Sequence, residues 1–172
     1  MDETDAILKH LSRAHAALLA TAGSVPVDRW RQAPRSGAWS AGEIIAHLTM
    51  VEKRIIEGAE KIANGLPTEA PAWKRIHLPV RLGEWRGFRV KTPIPLDTSL
   101  VTDKESALEK LTAVRQDTLR FIEKNRNRDL HGYRFRHPFF GSLNVYDWFR
   151  SIAYHESRHT KQLQEIVESC QG

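Results

Sequence analysis

The chain has 172 residues, of which 41% are hydrophobic, and a formal net charge of +5. This length is typical of one domain with a full hydrophobic core, and we expect residues 1–172 to form a single domain. The lone cysteine, Cys170, excludes an intrachain disulfide and a cysteine-cluster metal site. The lack of an N-terminal leader and of a long apolar run predicts a soluble, cytoplasmic protein with no membrane contact.

The positive charge is concentrated in two segments. Residues 66–97 carry six Lys/Arg and three acidic residues, and residues 126–137 carry four Arg and one acidic residue, which leaves the rest of the chain near neutral. No continuous basic face or RNA-binding signature is visible, so nucleic acid is not the expected partner; a nucleic-acid-associated damage-response protein is one alternative. A basic rim that attracts an anionic small molecule and a set of solvated loop charges are equally consistent with this distribution.

Two helices are predicted in the first part of the chain. Apolar residues recur at three- and four-residue steps across residues 7–22, and Gly23 is a typical stop. The second helix is predicted to open at Ser40, because Glu43 three residues later completes a capping box, and to continue to about Gly65.

Two more helices are predicted in the second half. The third is expected to open at Thr102, where Glu105 completes another capping box, and to run through Ile122. The fourth follows Asn144 as its N-cap and continues to about Glu168.

A long connection joins helices two and three. It spans about 36 residues and can traverse the full length of a bundle, so that helices two and three run parallel. The predicted fold is all-α, an up-down-down-up four-helix bundle in which helix four is antiparallel to helix two. The crossover, with Trp73 and Trp85, is expected to pack over the bundle. Its prolines are Pro67, Pro71, Pro79, Pro93 and Pro95.

Two histidines, His155 and His159, lie four residues apart in helix four. Both fall on the apolar stripe of that helix and are expected to face the core. Two imidazoles at this spacing project from one helix face and can bind a single divalent metal. The alternative is a pair of core histidines that each make one hydrogen bond.

The same segment matches the zincin string H-E-x-x-H, in which Glu156 would act as general base. A metzincin would have glycine and a third histidine where this chain has Gln162 and Glu165. No convincing run of alternating strand residues is present to hold an extended peptide. Glu156 is also rotated by about 100° from His155 around the helix and is expected to face solvent. A metallopeptidase is therefore retained only as an alternative.

A third ligand must come from upstream in the chain. His47 is the best placed, because it lies on helix two at the edge of the apolar stripe, and His15 on the stripe of helix one is its main competitor. Spacing alone gives His47 a modest preference. The other histidines are peripheral or lie in predicted loops: His10, His77, His131 and His137.

The segment WSAGEIIAHL at 39–48, followed by HPFFGSL at 137–143 and by residues 148–159, resembles the DinB/YfiT-like superfamily of metal-dependent enzymes. In that family one histidine of helix two and an H-x-x-x-H pair on helix four bind a divalent metal inside an up-down-down-up bundle. The resemblance extends in element order over essentially the whole chain. It implies that His47, His155 and His159 are the metal ligands.

Three neutral imidazoles with an open fourth position are typical of catalytic zinc, although nickel or iron also suits imidazole. The open position can hold water or a thiolate. The resemblance implies a hydrolase or a transferase that uses a low-molecular-weight thiol as cosubstrate, acts on a small molecule and forms a homodimer. The alternative is a metal-binding stress or scaffold bundle without catalysis.

Three other side chains are further candidates for the site. Glu43, one turn before His47, can orient that imidazole, but the capping box already accounts for it. Glu156 is a candidate catalytic base, and Arg54, two turns past His47, is a candidate for binding an anionic group; a surface arginine is the alternative.

Overall fold

The computed structural model describes residues 2–67, 79–81 and 101–170, and the predicted four-helix, all-α fold is confirmed. A short 3₁₀ turn lies between the first two helices, and a β-hairpin precedes the fourth. The elements are α1 (Glu3–Gly23), the 3₁₀ turn (Val27–Arg29), α2 (Ala41–Ala63), α3 (Lys104–Lys124), β1 (Arg134–His137), β2 (Gly141–Asn144) and α4 (Val145–Ser169).

Two of the predicted helix starts are confirmed by their caps. The side chain of Ser40 accepts from the backbone N–H of Glu43, and the Glu43 carboxylate accepts from the N–H of Ser40 at 2.7 Å, which is the expected capping box. Asn144 caps α4 by accepting from the N–H of Asp147 at 2.8 Å. Each side chain satisfies a backbone donor that the first helical turn leaves without a partner.

The start of α3 differs from the prediction by one residue. Asp103 is its N-cap and accepts from the N–H of Ser106 at 3.0 Å, so the predicted capping box of Thr102 and Glu105 is wrong. Aspartate is at least as good a cap as threonine. In addition, the carbonyl of Thr102 is bound by the Trp30 indole N–H at 3.2 Å, which fixes this residue outside the helix.

Contacts of α1 with α3 and α4 fix three helix directions. Near the start of α1, Asp5 pairs with Arg126 just beyond the end of α3, whereas Lys104 at the start of α3 donates to the carbonyl of Gly23 at the end of α1. These helices are therefore antiparallel. Along α4, Glu3 binds Arg150 near the helix start and His15 binds Glu156 further along, so α1 and α4 are parallel.

Helices α2 and α3 run parallel. The indole of Trp30, before α2, reaches Thr102 before α3, and Arg128 beyond α3 donates to the carbonyl of Ala63 at the end of α2 at 2.8 Å. Together with the directions of α1 and α4, this gives the predicted up-down-down-up order and places α2 antiparallel to α4.

The core consists of two hydrophobic clusters at opposite ends of the bundle. One contains the start of α1, the ends of α2 and α3 and the start of α4; the other contains Trp30 and the opposite halves of the same helices. Polar side chains meet at the boundary between the clusters, and we call this set the central polar layer. Its members are His15, His47, Glu52, Arg115, Thr118, His155, Glu156 and His159.

The β-hairpin is an addition to the predicted helices, since the sequence showed no convincing run of alternating strand residues. Strands β1 and β2 pair antiparallel from Arg134↔Asn144 to His137↔Gly141, and Gly141 has a φ of +83°, which glycine tolerates best. The Phe135 ring stacks on Trp148 with 4.5 Å between ring centroids. Each strand has only four residues and packs on helices, so its sequence has no alternation long enough to predict it.

The predicted crossover lies mostly outside the described residues, as do His77, Trp73 and Trp85 and most of the basic segment 66–97. Across the ranges that are described, no helix is long and apolar enough to span a bilayer.

Candidate metal centre

Three histidines converge between α2 and α4. Nε2 of His155 lies 3.2 Å from Nε2 of His47 and 3.0 Å from Nε2 of His159, and ligand atoms of all three lie within 4.8 Å of one another. The helical repeat brings His155 and His159 to one face, and the antiparallel packing of α2 brings His47 opposite them. The three residues predicted as ligands therefore come together.

These separations fit a divalent ion. Zinc binds imidazole nitrogens at about 2.0–2.1 Å, and a tetrahedral arrangement then separates two ligand nitrogens by about 3.3 Å. The two observed separations are within a few tenths of an ångström of that value. Without an ion, Nε2 of His155 can share a hydrogen with only one of its two neighbours, since a neutral imidazole nitrogen is either a donor or an acceptor.

The protonation states also favour metal binding. Burial lowers the pKa of His47 to about 4. Burial also holds the pKa of His155 well below its usual range, and the neighbouring His159 and His47 lower it further. His155 keeps some solvent exposure, but the dense protein around its ring dominates. Both imidazoles are therefore neutral at pH 7, which is the form that binds a metal.

A neighbour on α4 orients one imidazole. Nδ1 of His159 donates to Oε1 of Gln162 at 2.6 Å, which makes Nε2 the unprotonated nitrogen, the form that can bind an ion. In the sequence Gln162 stood out only as a departure from the metzincin pattern. Nδ1 of His47 is buried without a protein partner in the described part of the chain. Glu43 stays in its capping box, held by Ser40, and does not orient His47.

Trp39 forms an aromatic wall beside the histidines. Its ring meets His47 edge to face at a centroid distance of 4.9 Å and lies parallel to His159 at 6.1 Å. The indole is only partly buried, so it borders the site and solvent at the same time. The sequence analysis did not predict this position for Trp39.

Glu156 does not face solvent, and that expectation is wrong. Its side chain is 1% exposed, with Oε1 3.0 Å from Nδ1 of His15 and Oε2 in an ion pair with Nη2 of Arg115 at 2.9 Å. The face of α4 that carries Glu156 packs on α1, and the side chain of Arg115 from α3 reaches it. Because both carboxylate oxygens are engaged there, Glu156 is not aimed at the histidines, which argues against the metallopeptidase alternative.

Three residues of the central polar layer were not predicted: Glu52, Arg115 and Thr118. Arg115 donates from Nε and Nη2 to the two carboxylate oxygens of Glu52, at 2.7 and 2.9 Å, and from Nη1 to the carbonyl of Leu11 at 2.8 Å. The contact of Nη2 with Oε2 of Glu156 at 2.9 Å is an ion pair, and this oxygen has no hydrogen-bond partner among the described residues. A signal was present, since Glu52 and Arg115 occupy apolar stripe positions, each four residues after a buried leucine.

The remaining candidates lie away from the histidines. Arg54 is exposed on α2, as the surface alternative predicted. In the basic segment 126–137, Arg126 pairs with Asp5 and Arg128 donates to the carbonyl of Ala63, so these arginines join helix ends. They give no specific support for a basic rim that attracts an anionic substrate.

His15→Gln is expected to retain the metal and to lose stability. His15 binds Glu156 in the central polar layer and is not among the three convergent histidines. Weakening a buried hydrogen bond to a carboxylate costs about 1–3 kcal/mol of unfolding free energy. Urea unfolding and elemental analysis of the same preparations measure the two quantities. Metal loss from a folded His15→Gln variant would instead make His15 a ligand.

Comparisons with known proteins agree with this fold. The uncharacterized protein YuaE of Bacillus subtilis (strain 168) is 27% identical over 145 residues, which cover 84% of this chain and 86% of the relative. The solved structure of TT2238, a four-helix bundle protein, is 25% identical, covers 94% of this chain and 98% of its own, and has a TM-score of 0.63. The sequence model of the DinB superfamily matches residues 10–163, a span that includes all three histidines. The chain belongs to the DinB superfamily.

Proposed function

We propose that the protein is a metal-dependent enzyme in which His47, His155 and His159 hold one divalent ion, with zinc the first choice. The observation that carries the proposal is the convergence of three Nε2 atoms, with separations of 3.0 and 3.2 Å at His155. Three imidazoles leave a fourth position open, which is characteristic of catalytic zinc and not of closed structural sites.

The proposed reaction is either hydrolysis of a small substrate or transfer of a group from that substrate to a low-molecular-weight thiol. A zinc ion in this site would supply water with a pKa near 7 or hold a thiol as thiolate. The partial exposure of His155 supports access from solvent. Trp39 supports a small substrate with a flat or apolar part, because its ring borders the site.

An activity screen with matched variants tests this proposal. Freshly purified protein is analysed for metals and then assayed against electrophiles and esters, with and without added thiols. Turnover that requires thiol indicates the transferase, and turnover without thiol indicates the hydrolase. His159→Ala should abolish either activity, whereas the control His131→Ala, at an exposed histidine paired with Asp129, should retain it. Full activity of metal-free protein would refute the proposal.

A metal-binding bundle without catalysis is the second candidate function. The observation that favours it is burial, since His47 and His159 are only 4% and 6% exposed between two hydrophobic clusters. An ion there would stabilise the bundle by binding only the folded state. A large rise in melting temperature on zinc addition, without turnover of any thiol-conjugation or ester substrate, would favour this candidate.

We also propose a homodimer of single-domain chains in the cytoplasm, as the family resemblance implies. Sedimentation velocity at low micromolar concentration should then show a species of twice the 19.7 kDa chain mass. A single species at the chain mass would contradict the dimer and leave the metal proposal unaffected.

A further inference from the structure

We propose that Arg115 is a positioning residue for the metal centre, because its guanidinium ties α2 to α4 and thereby sets the distance between His47 and His155. This inference rests on the proposed function. Arg115 belongs to α3, which contributes no metal ligand, and it is 1% exposed. Its role would therefore be exerted through the two helices that it joins.

The two carboxylates that Arg115 binds are close to the ligands along their helices. Glu52 follows His47 by five residues on α2, about 7.5 Å along the helix axis, and Glu156 directly follows His155 on α4. Arg115 holds Glu52 through two hydrogen bonds and lies 2.9 Å from Oε2 of Glu156. A shift of either helix relative to the other would lengthen one of these contacts. The same shift would move His47 away from His155.

The guanidinium geometry suits this role. Its planar fork binds Glu52 in a bidentate manner while Nη1 donates to the carbonyl of Leu11, so α1 is joined to the same group. Thr118 adds a hydrogen bond of 2.8 Å to Oε1 of Glu52. A lysine at this position would keep the charge but could not make the same set of directed contacts.

At the level of the histidines, polar side chains lie between the two hydrophobic clusters. The two hydrophobic clusters lie on either side of the central polar layer, so polar contacts join α2 and α4 where the histidines meet. A buried charge cluster of this kind is weak evidence of stability, since apolar side chains of similar volume are often as good or better. Control of position is the better explanation, because a metal site tolerates only about 0.5 Å of displacement.

Arg115 remains charged in this environment. Burial opposes its charge, but the hydrogen bonds and charges of Glu52 and Glu156 outweigh burial and raise its pKa. Removing the guanidinium would leave two buried carboxylates without their cation, so Arg115→Met alone would weaken both folding and positioning. A second variant is needed to separate these two effects.

The test compares Arg115→Met with Glu52→Met/Arg115→Met and with the control Leu111→Ala. The double variant also removes one of the two buried carboxylates that Arg115→Met leaves without a cation. Measured without metal, it should therefore recover much of the folding stability that Arg115→Met loses. Leu111 lies one turn earlier on α3 and is fully buried, so Leu111→Ala destabilises the fold without touching the ion pairs. Zinc affinity is measured by competition with a chromophoric chelator, cobalt coordination by visible absorption, and stability by urea unfolding.

We expect the zinc Kd to rise by about 10- to 100-fold in Arg115→Met and to stay raised in the double variant although stability recovers. The cobalt spectrum should change in both, and Leu111→Ala should keep the wild-type spectrum and a Kd within about threefold of wild type. Arg115→Lys should fall between wild type and Arg115→Met. A Kd that recovers together with stability in the double variant would overturn the positioning role. Wild-type protein that binds no divalent transition-metal ion would instead overturn the proposed function.

Discussion

The double substitution His155→Ala/His159→Ala is expected to reduce bound zinc from about one ion per chain to less than about a tenth of an ion. It removes two of the three nitrogens that converge in the site and leaves His47 as a single ligand. The measurement is the metal content of purified protein by mass spectrometry, with circular dichroism to confirm that the helices persist.

The matched control for this experiment is His137→Ala. His137 is a half-buried histidine near the start of α4, and its Nδ1 accepts from the backbone N–H of Phe139 at 3.0 Å and of Phe140 at 3.2 Å. It is not among the convergent histidines, so its loss should leave the zinc content unchanged. Equal zinc content in the double variant and in wild type would place the metal site elsewhere.

The second large effect concerns pH. The metal-free protein is expected to lose folding stability as the pH falls from about 6.5 to about 4. The pKa of His47 is lowered by burial from 6.5 to about 4, so in this window the unfolded chain binds the proton and the folded chain does not. The free energy of unfolding therefore decreases with falling pH, by about 3 kcal/mol for His47 alone. His155, whose pKa is also lowered, contributes in the same direction.

Urea unfolding of metal-free protein at pH 7 and pH 5 measures this dependence. His47→Gln should show a smaller loss between the two pH values, because its side chain does not titrate. A pH dependence as steep as that of wild type would contradict the assignment to His47. The control His131→Ala, at the surface beside Asp129, should retain most of the wild-type slope.

Bound zinc should shift protonation of the ligand histidines to lower pH. Protons compete with the ion for the same nitrogens, and a proton binds His47 and His155 weakly even when the ion is absent. Zinc content and turnover should therefore decline together over one pH range. Turnover that survives after the zinc has been released would contradict the metal-dependent mechanism.

The sequence by itself determined those features that depend on neighbours along one helix. The capping box of Ser40 and Glu43 has both partners within one turn, and the spacing of His155 and His159 places both imidazoles on one face. The alternation of apolar and polar residues also predicted the four helices, because burial along a helix follows its repeat. Even here, choosing Asp103 over Thr102 as the cap required the contact of Trp30 with the Thr102 carbonyl.

Only the tertiary structure decided which residues meet across the bundle. Spacing favoured His47 over His15 only modestly, whereas the packed helices place His47 against His155 and direct His15 to Glu156, 141 residues away. The periodic pattern left Glu156 at the surface, and it did not pair Glu52 with Arg115, 63 residues further on. A charged residue near an apolar stripe can lie at the edge of that stripe in contact with solvent, or it can be buried with a partner of opposite charge. Its partner comes from another helix, so helix direction and register decide between these outcomes.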